Sequence, residues 1–341
     1  MKGRGHVLVF FLVIAVGMMF GFAPQAAQAK AIELSYANFF PPSHIQAKLG
    51  QSWAKEIEKR TNGKVKITYY PGGSLLKGPK VYDGIVNGIA DIGMSVLAYS
   101  RGRFLAMAAF DLPLGYPNGK VATRVVNDFY KKFKPKELSD VKMLYVFGHG
   151  PGILHTKKPV YKIEDIKGLK IRATGNSAKV AQALGAVPVA MSQGHAYEAL
   201  QKGVVDGTFA PIEVLKGWKQ AEVIKYTTEC YSIAYSTGFF VAMNLQKWNA
   251  LPKDVQKVFE EVSEEWIPKT GAAWDSSDAE GRKFTLSLGN KIIPLSKEES
   301  ARWAKAITSV IANYEKKAEA KGLPGKDYVK FLQNGIKKYS K

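Results

Sequence analysis

Residues 32–96 alternate between two hydrophobic periods, and that alternation restricts the fold more than any other feature of the chain. Ile32-Glu33-Leu34-Ser35-Tyr36 has the period-two pattern of a strand. Ser43 stands where it would cap a helix whose apolar side is Leu49, Trp53 and Ile57, and Asn62-Gly63 ends that helix. Val65, Ile67 and Tyr69 alternate with Lys64, Lys66 and Thr68 as a half-buried strand. Pro71-Gly72-Gly73 turns the chain, a helix runs through Val81, Ile85 and Val86, and a strand follows over 90–96. Strand, helix, strand, helix, strand is the order that builds a parallel sheet covered by helices.

A second unit of the same kind starts near Val141. Met143 to Phe147 reads as a strand and Gly148 to Gly152 as a loop. Leu169-Lys170-Ile171-Arg172 is another strand. Asn176 or Ser177 caps a helix through Val180, Ala181 and Leu184 that Gly185 closes. A short strand over 187–190 and a helix through Ala196, Leu200 and Gln201 complete the unit. The two halves share one small pattern, Gly88-Ile89-Ala90-Asp91 and Gly203-Val204-Val205-Asp206, each at the end of a helix. From Tyr231 to Asn244 an apolar segment is long enough to pass from one lobe to the other. Leu251-Pro252 then opens a long helix with the stripe Leu251, Val255, Val258, Val262 and Trp266. Two further helices are expected over 297–320 and 326–339. At 341 residues the chain is too long for one comfortable core, so two lobes are expected, with a hinge where the chain crosses between them.

Lys2 and Arg4, an apolar run from Val7 to about Ala23, and Ala27-Gln28-Ala29 follow the order of a secretory signal peptide. The expectation is cleavage after residue 29 and a soluble protein in the periplasm; an uncleaved anchor is the alternative. Export excludes most functions that need ATP, NAD or nucleic acid. The single cysteine, Cys230, rules out an intramolecular disulfide and sits in an apolar stretch, as a buried structural thiol would. The formal net charge of +20 is spread over Lys-rich helices. It reads as solvated faces, or as a field that attracts small anions or an anionic surface. No nucleic-acid motif accompanies it.

No catalytic pattern rises above background. His149 and His155 flank a glycine-rich loop at a spacing that fits no common zinc site. Pro71-Gly72-Gly73-Ser74-Leu75 lacks the second glycine of a nucleophile elbow, because Leu76 follows. Gly148-His149-Gly150-Pro151-Gly152 is neither a dinucleotide fingerprint nor a phosphate loop. Neither a metal nor a cofactor is expected. One charge stands out. Arg172 ends a strand and Gly175-Asn176 opens a helix after it, which is where open α/β sheets bind ligands. A guanidinium there can present two parallel N–H donors to a carboxylate; a surface salt bridge is the plainer alternative.

Several segments in order resemble the DctP-type solute-binding proteins of tripartite ATP-independent periplasmic (TRAP) transporters. They are Gly63 to Ile67 leading to Pro71 to Leu75, then Gly88 to Gly93, Asp111-Leu112-Pro113, Asp165 to Arg172, Leu200 to Gly207, and Met243-Asn244 with Trp248 and Leu251-Pro252. The resemblance implies a two-lobed, periplasmic-binding-protein-like α/β fold with a central ligand cleft and a long helix spanning both lobes. The lobes would be 30–148 plus about 235–280, and 149–234 plus about 281–341. It implies that Arg172 salt-bridges a ligand carboxylate, and that a monomeric binding protein delivers the ligand to integral membrane permease subunits. A secreted enzyme on the same fold, or a binding protein feeding a sensor, are the alternatives.

The chain departs from that pattern in two places. Many members carry a second arginine where this chain has Pro151, with His149 and His155 nearby, and an Asn where it reads Thr208-Phe209-Ala210-Pro211. Fewer polar groups and more aromatic ones imply a monocarboxylate with an apolar or aromatic body. The expected ligand-binding residues are Arg172, Phe39, Phe40, His44, Ser95, Tyr99, His149, Asn176, Phe209 and Glu213, with Trp218 as a further wall.

Overall fold

The computed structural model describes residues 30–341. The expected signal peptide lies outside the described residues. Eleven strands occur among them: β1 (Ile32–Asn38), β2 (Val65–Tyr70), β3 (Ile92–Val96), β4 (Val141–Gly148), β5 (Gly152–Thr156), β6 (Lys170–Ala173), β7 (Val187–Ala190), β8 (Gly207–Pro211), β9 (Tyr226–Glu229), β10 (Gly238–Asn244) and β11 (Lys291–Pro294). They form two sheets, in the orders β2-β1-β3-β10-β4 and β11-β9-β5-β8-β6-β7. In the first sheet β1 is parallel to β2 and β3, and β10 runs antiparallel between β3 and β4. In the second, β6 is parallel to β7 and β8, while β5 is antiparallel to β8 and β9.

This is the two-lobed α/β arrangement. The chain leaves the first sheet between Gly148 and Gly152, returns to it as β10, and joins the second again at β11. The helix Lys253–Ser287 connects those last two strands and is 35 residues long. Its first half lies on the first sheet's helices, where Trp266 Nε1 donates to Leu49 O at 3.0 Å. Farther along it meets the second sheet's side, where Arg282 pairs with Glu229 at 2.6 Å.

The paired glycine pattern is a repeat in the physical sense. Gly88 and Gly203 both adopt left-handed φ, at 72° and 73°, which only glycine enters freely. The residue after each donates back into its own helix, Ile89 to Gly84 O and Val204 to Ala199 O. Asp91 and Asp206 then each hold a backbone N–H of a neighbouring strand. Asp91 Oδ2 accepts from the Ser35 N–H in β1, and Asp206 Oδ2 from the Lys170 N–H at the head of β6, both at 2.8 Å.

Three local expectations differ from the structure. His44, not Ser43, caps the first helix: its Nδ1 accepts from the Gln46 N–H. Thr174 caps the helix Gly175–Ala183, with Ser177 three residues on completing a capping box. The expected helix over 297–320 is two helices, Lys297–Ala306 and Thr308–Glu319, that meet at Ile307. The last helix, Gly325–Tyr339, packs on Gly119–Phe133 through Phe129 and Tyr328, whose ring centroids are 5.1 Å apart.

Candidate functional site

Between the sheets lies a small cavity lined from both sides. Phe39 and Phe40 follow β1, held in a turn by Asn38 Oδ1, which accepts from the Phe40 N–H at 2.9 Å. Phe239 comes from β10, Tyr99 from the turn after β3, and Trp274 from the long helix. The second sheet supplies Arg172 from β6, Ala210 and Pro211 from the end of β8, and Glu213 and Trp218 just beyond it. The rings form a continuous wall. Phe39 stacks on Phe239 at 6.5 Å with planes 9° apart and on Trp218 at 6.0 Å, and Phe239 lies 5.4 Å from Trp274. Such an aromatic lining, with polar side chains set among the rings, suits the planar body of a small ligand.

Arg172 is the one basic side chain on this wall, and it is buried, at 4% exposure. Its Nε donates to Met191 O at 3.1 Å. Among the described residues no carboxylate lies within salt-bridge distance of it. Alternation along β6 explains its direction, since Ile171 packs into the core and Arg172 takes the opposite face. Burial raises the Tyr99 hydroxyl, with the Arg172 charge opposing, so Tyr99 stays protonated beside the guanidinium. Tyr99 Oη accepts from the Gln193 N–H at 3.0 Å and so joins the two sides of the cavity.

His149 lies on the wall at the end of β4. Burial, opposed by the Gly150 carbonyl and aided by the Arg172 charge, pushes it down to about 4. It is therefore neutral near pH 7, and its Nδ1 sits 2.5 Å from Gly150 O. Glu213 is 2% exposed, and its Oε2 accepts from His44 Nε2 at 2.8 Å. A side chain at Gly217 would meet Glu213 Oε2 at 2.5 Å and His44 Cδ2 at 2.8 Å, so the glycine leaves room for this pair. Among the described residues, Gln193 Nε2 and Trp274 Nε1, both on the wall, have no hydrogen-bond partner.

Seven of the residues anticipated from sequence meet at this cavity: Arg172, Phe39, Phe40, Tyr99, His149, Glu213 and Trp218. Four lie off its wall. His44 stands directly behind, stacked on Phe40 at 4.3 Å. Ser95 donates to Gly78 O at 2.7 Å and lies under the first lobe's surface. Phe209 is in the second sheet's core, and it is the next two residues of β8, Ala210 and Pro211, that reach the cavity. Asn176 donates to Ala108 O and lines a neighbouring cavity with Asp111 and Lys179. His155, the other loop-flanking histidine, bridges Thr227 Oγ1 and Ala210 O inside the second sheet. Sequence reading missed Gln193, Tyr235, Thr237, Phe239 and Trp274. Trp274 had a signal, because it lies eight residues beyond Trp266 and continues that stripe.

Residues 36–317 match the family model for bacterial extracellular solute-binding proteins, family 7, DctP. The chain belongs to this family. It is a solute-binding protein of the TRAP type. A TRAP periplasmic solute-binding protein from Desulfovibrio salexigens, in an open complex, is 36% identical, covers 91% of this chain and 97% of its own, and superposes with a TM-score of 0.80. A marine metagenome TRAP protein specific for aromatic acids, bound to metahydroxyphenylacetate, is 30% identical. It covers 91% of this chain and all of its own, with a TM-score of 0.86. The C4-dicarboxylate-binding periplasmic protein DctP of Rhodobacter capsulatus is 28% identical over 294 residues, 83% of this chain and 86% of its own. Members of the DctP family bind small organic acids and work with TRAP membrane permeases.

Proposed function

We propose that this TRAP solute-binding protein captures an organic monocarboxylate with an aromatic or apolar body, in the periplasm after removal of residues 1–29, and delivers it to its permease. The observation that carries the reading is Arg172, a buried guanidinium with no carboxylate partner at the edge of an aromatic wall. A buried charge without a partner is costly, and a ligand carboxylate supplies the missing one. The lining also argues against a second acid group. No other basic side chain stands on the wall, His149 is neutral, and Glu213 would repel an anion. A similar protein that binds aromatic acids supports this reading; the similarity to a dicarboxylate-binding protein points the other way.

Calorimetric titration of a matched pair tests it. Phenylacetate or benzoate is expected to bind more tightly than succinate or malate. Tighter binding of the dicarboxylate would defeat the argument and require a second cation, for which Arg101, Lys179 and Lys317 line the adjoining cavity.

A further inference from the structure

The strand register of the second sheet builds a row of lysines at the end away from the cavity. Arg172 in β6 and Ala210-Pro211 at the end of β8 meet the cavity, and the opposite end of β8, at Gly207, lies about 13 Å off along the strand. One path of backbone hydrogen bonds follows that far edge. The Lys291 N–H donates to Lys225 O at 2.9 Å, the Lys225 N–H to Thr156 O at 3.1 Å, the Lys157 N–H to Asp206 O at 3.0 Å, and the Asp206 N–H to Lys170 O at 2.7 Å. Four lysines from four chain segments therefore stand in one line with a single acid. The line runs from β11 across β9, β5 and β8 to β6, about 19 Å at the usual strand spacing.

Nothing nearby neutralises the row. Asp206 Oδ2 is occupied by the Lys170 N–H at 2.8 Å. On the neighbouring segments Glu164, Glu198 and Glu229 are paired with Arg302, Lys202 and Arg282, and Glu222 accepts from the Tyr197 hydroxyl. Aliphatic side chains stand among the charges. Val187 is in register with Lys170, Val204 shortly precedes Asp206, and Leu286 and Leu288 shortly precede Lys291. These are four of the seven large apolar side chains that are exposed among the described residues, so this end is cationic and apolar together.

An acidic protein segment and an anionic lipid surface both have the complementary charge. Recognition of a folded acidic segment favours arginine, whose fork fixes the geometry of a carboxylate. All four cations here are lysines, point charges on flexible stems that fix none. A lipid surface requires none: its phosphates meet the ammonium groups, and its headgroup–acyl boundary takes the aliphatic side chains. We propose that this end of the second lobe rests on an anionic lipid surface, which holds the protein beside the membrane and leaves the cavity, at the opposite strand ends, free. The inference does not depend on which acid the cavity binds.

The test is sedimentation of the exported protein, purified from the periplasm, with vesicles of phosphatidylcholine alone and of phosphatidylcholine and phosphatidylglycerol in equal parts. The protein is expected to bind the anionic vesicles and not the neutral ones, and to be released as salt is raised. One lysine near such a surface is worth about fivefold in partition. Lys157→Gln, Lys170→Gln, Lys225→Gln and Lys291→Gln combined should therefore weaken binding by about a hundredfold or more. Removing the same charge from exposed sites on the first lobe, with Lys48→Gln, Lys55→Gln, Lys59→Gln and Lys66→Gln, should change it by about twofold at most. If the four-site row variant does not fold, Lys225→Gln with Lys291→Gln serves, with a loss of about twentyfold expected. Equal losses in the row and first-lobe variants, no binding to the anionic vesicles, or equal binding to the neutral ones overturns the proposal. Binding confined to vesicles that carry the permease subunits gives this face to a protein partner and overturns it too.

Discussion

At the scale of single residues, Arg172 has the most specific consequence. Its planar fork is rigid and permanently charged, whereas a lysine in its place would bring one compact charge on a flexible stem. Arg172→Lys is therefore expected to weaken ligand binding clearly, and Arg172→Ala further. Truncating one partner of a buried charge pair costs about 2–5 kcal/mol, a factor of about 30 in affinity at the lower end. Calorimetry on a variant shown by circular dichroism to be folded decides this, and wild-type affinity in Arg172→Ala would remove the guanidinium from the site. The other conspicuous single residue behaves differently. Cys230 is fully buried, and burial pushes its thiol up to about 12, so it packs and does not react.

At the scale of elements, the alternating segments were readable because each has one buried face. β1, β2, β3, β6 and β7 lie within a residue or two of their sequence-derived positions. What misled the reading was chemistry that local pattern does not encode. A histidine is an uncommon cap, and His44 caps because its other nitrogen is held by Glu213, 169 residues away. Phe209 looked like a wall residue because composition says nothing about which face of β8 turns inward, and that is set by pairing with β5 and β6. Phe239 was visible only as part of an apolar crossing segment, since nothing in sequence tells that β10 returns to the first sheet next to β3. The recurrent Gly-x-x-Asp pattern looked weak as text and proves to have a mechanism, and it yields an element-scale prediction. Asp206 holds the Lys170 N–H at the head of β6, two residues before Arg172. Asp206→Ala should lower stability by only about 0.5–1.5 kcal/mol, because the Lys170 N–H is exposed and water can take the place of the carboxylate, and should also weaken ligand binding by loosening the strand that aims the guanidinium. Urea unfolding together with a titration checks both effects. Lost stability with unaltered affinity would mean that the rest of β6 holds Arg172 unaided.

At the scale of the whole molecule, the bonds between the two sides fall into two groups with different mechanical roles. One group is buried where the chain crosses. Asn176 Nδ2 donates to Ala108 O at 2.7 Å across the two sides, and beside it, within the first lobe, Asp111 Oδ1 accepts from Thr237 Oγ1 at 2.8 Å and from the Gly238 N–H at 3.2 Å where β10 begins. The other group spans the ligand cavity or its rim: Tyr99 with the Gln193 N–H, His44 with Glu213, and Arg101 Nη2 with Ala190 O at 3.3 Å. Crossing-strand bonds of the first kind can persist through a rotation about β10, whereas those of the second kind must break if the cavity is to admit a ligand that it largely encloses. Few such bonds, each exchangeable for water, hold the cavity shut, so a ligand that adds a carboxylate–Arg172 contact and buries an aromatic body would shift the balance toward closure. The expected result is a smaller radius of gyration by solution scattering at saturating arylcarboxylate than without ligand. Tyr99→Phe, which loses the hydroxyl accepting from Gln193 and keeps the ring, should leave the ligand-free protein more open and raise the ligand concentration needed for compaction. Identical scattering profiles with and without saturating ligand would show that binding proceeds without hinge motion, and the ligand would then have to enter through local movement of the Phe39, Tyr99 and Trp218 side chains.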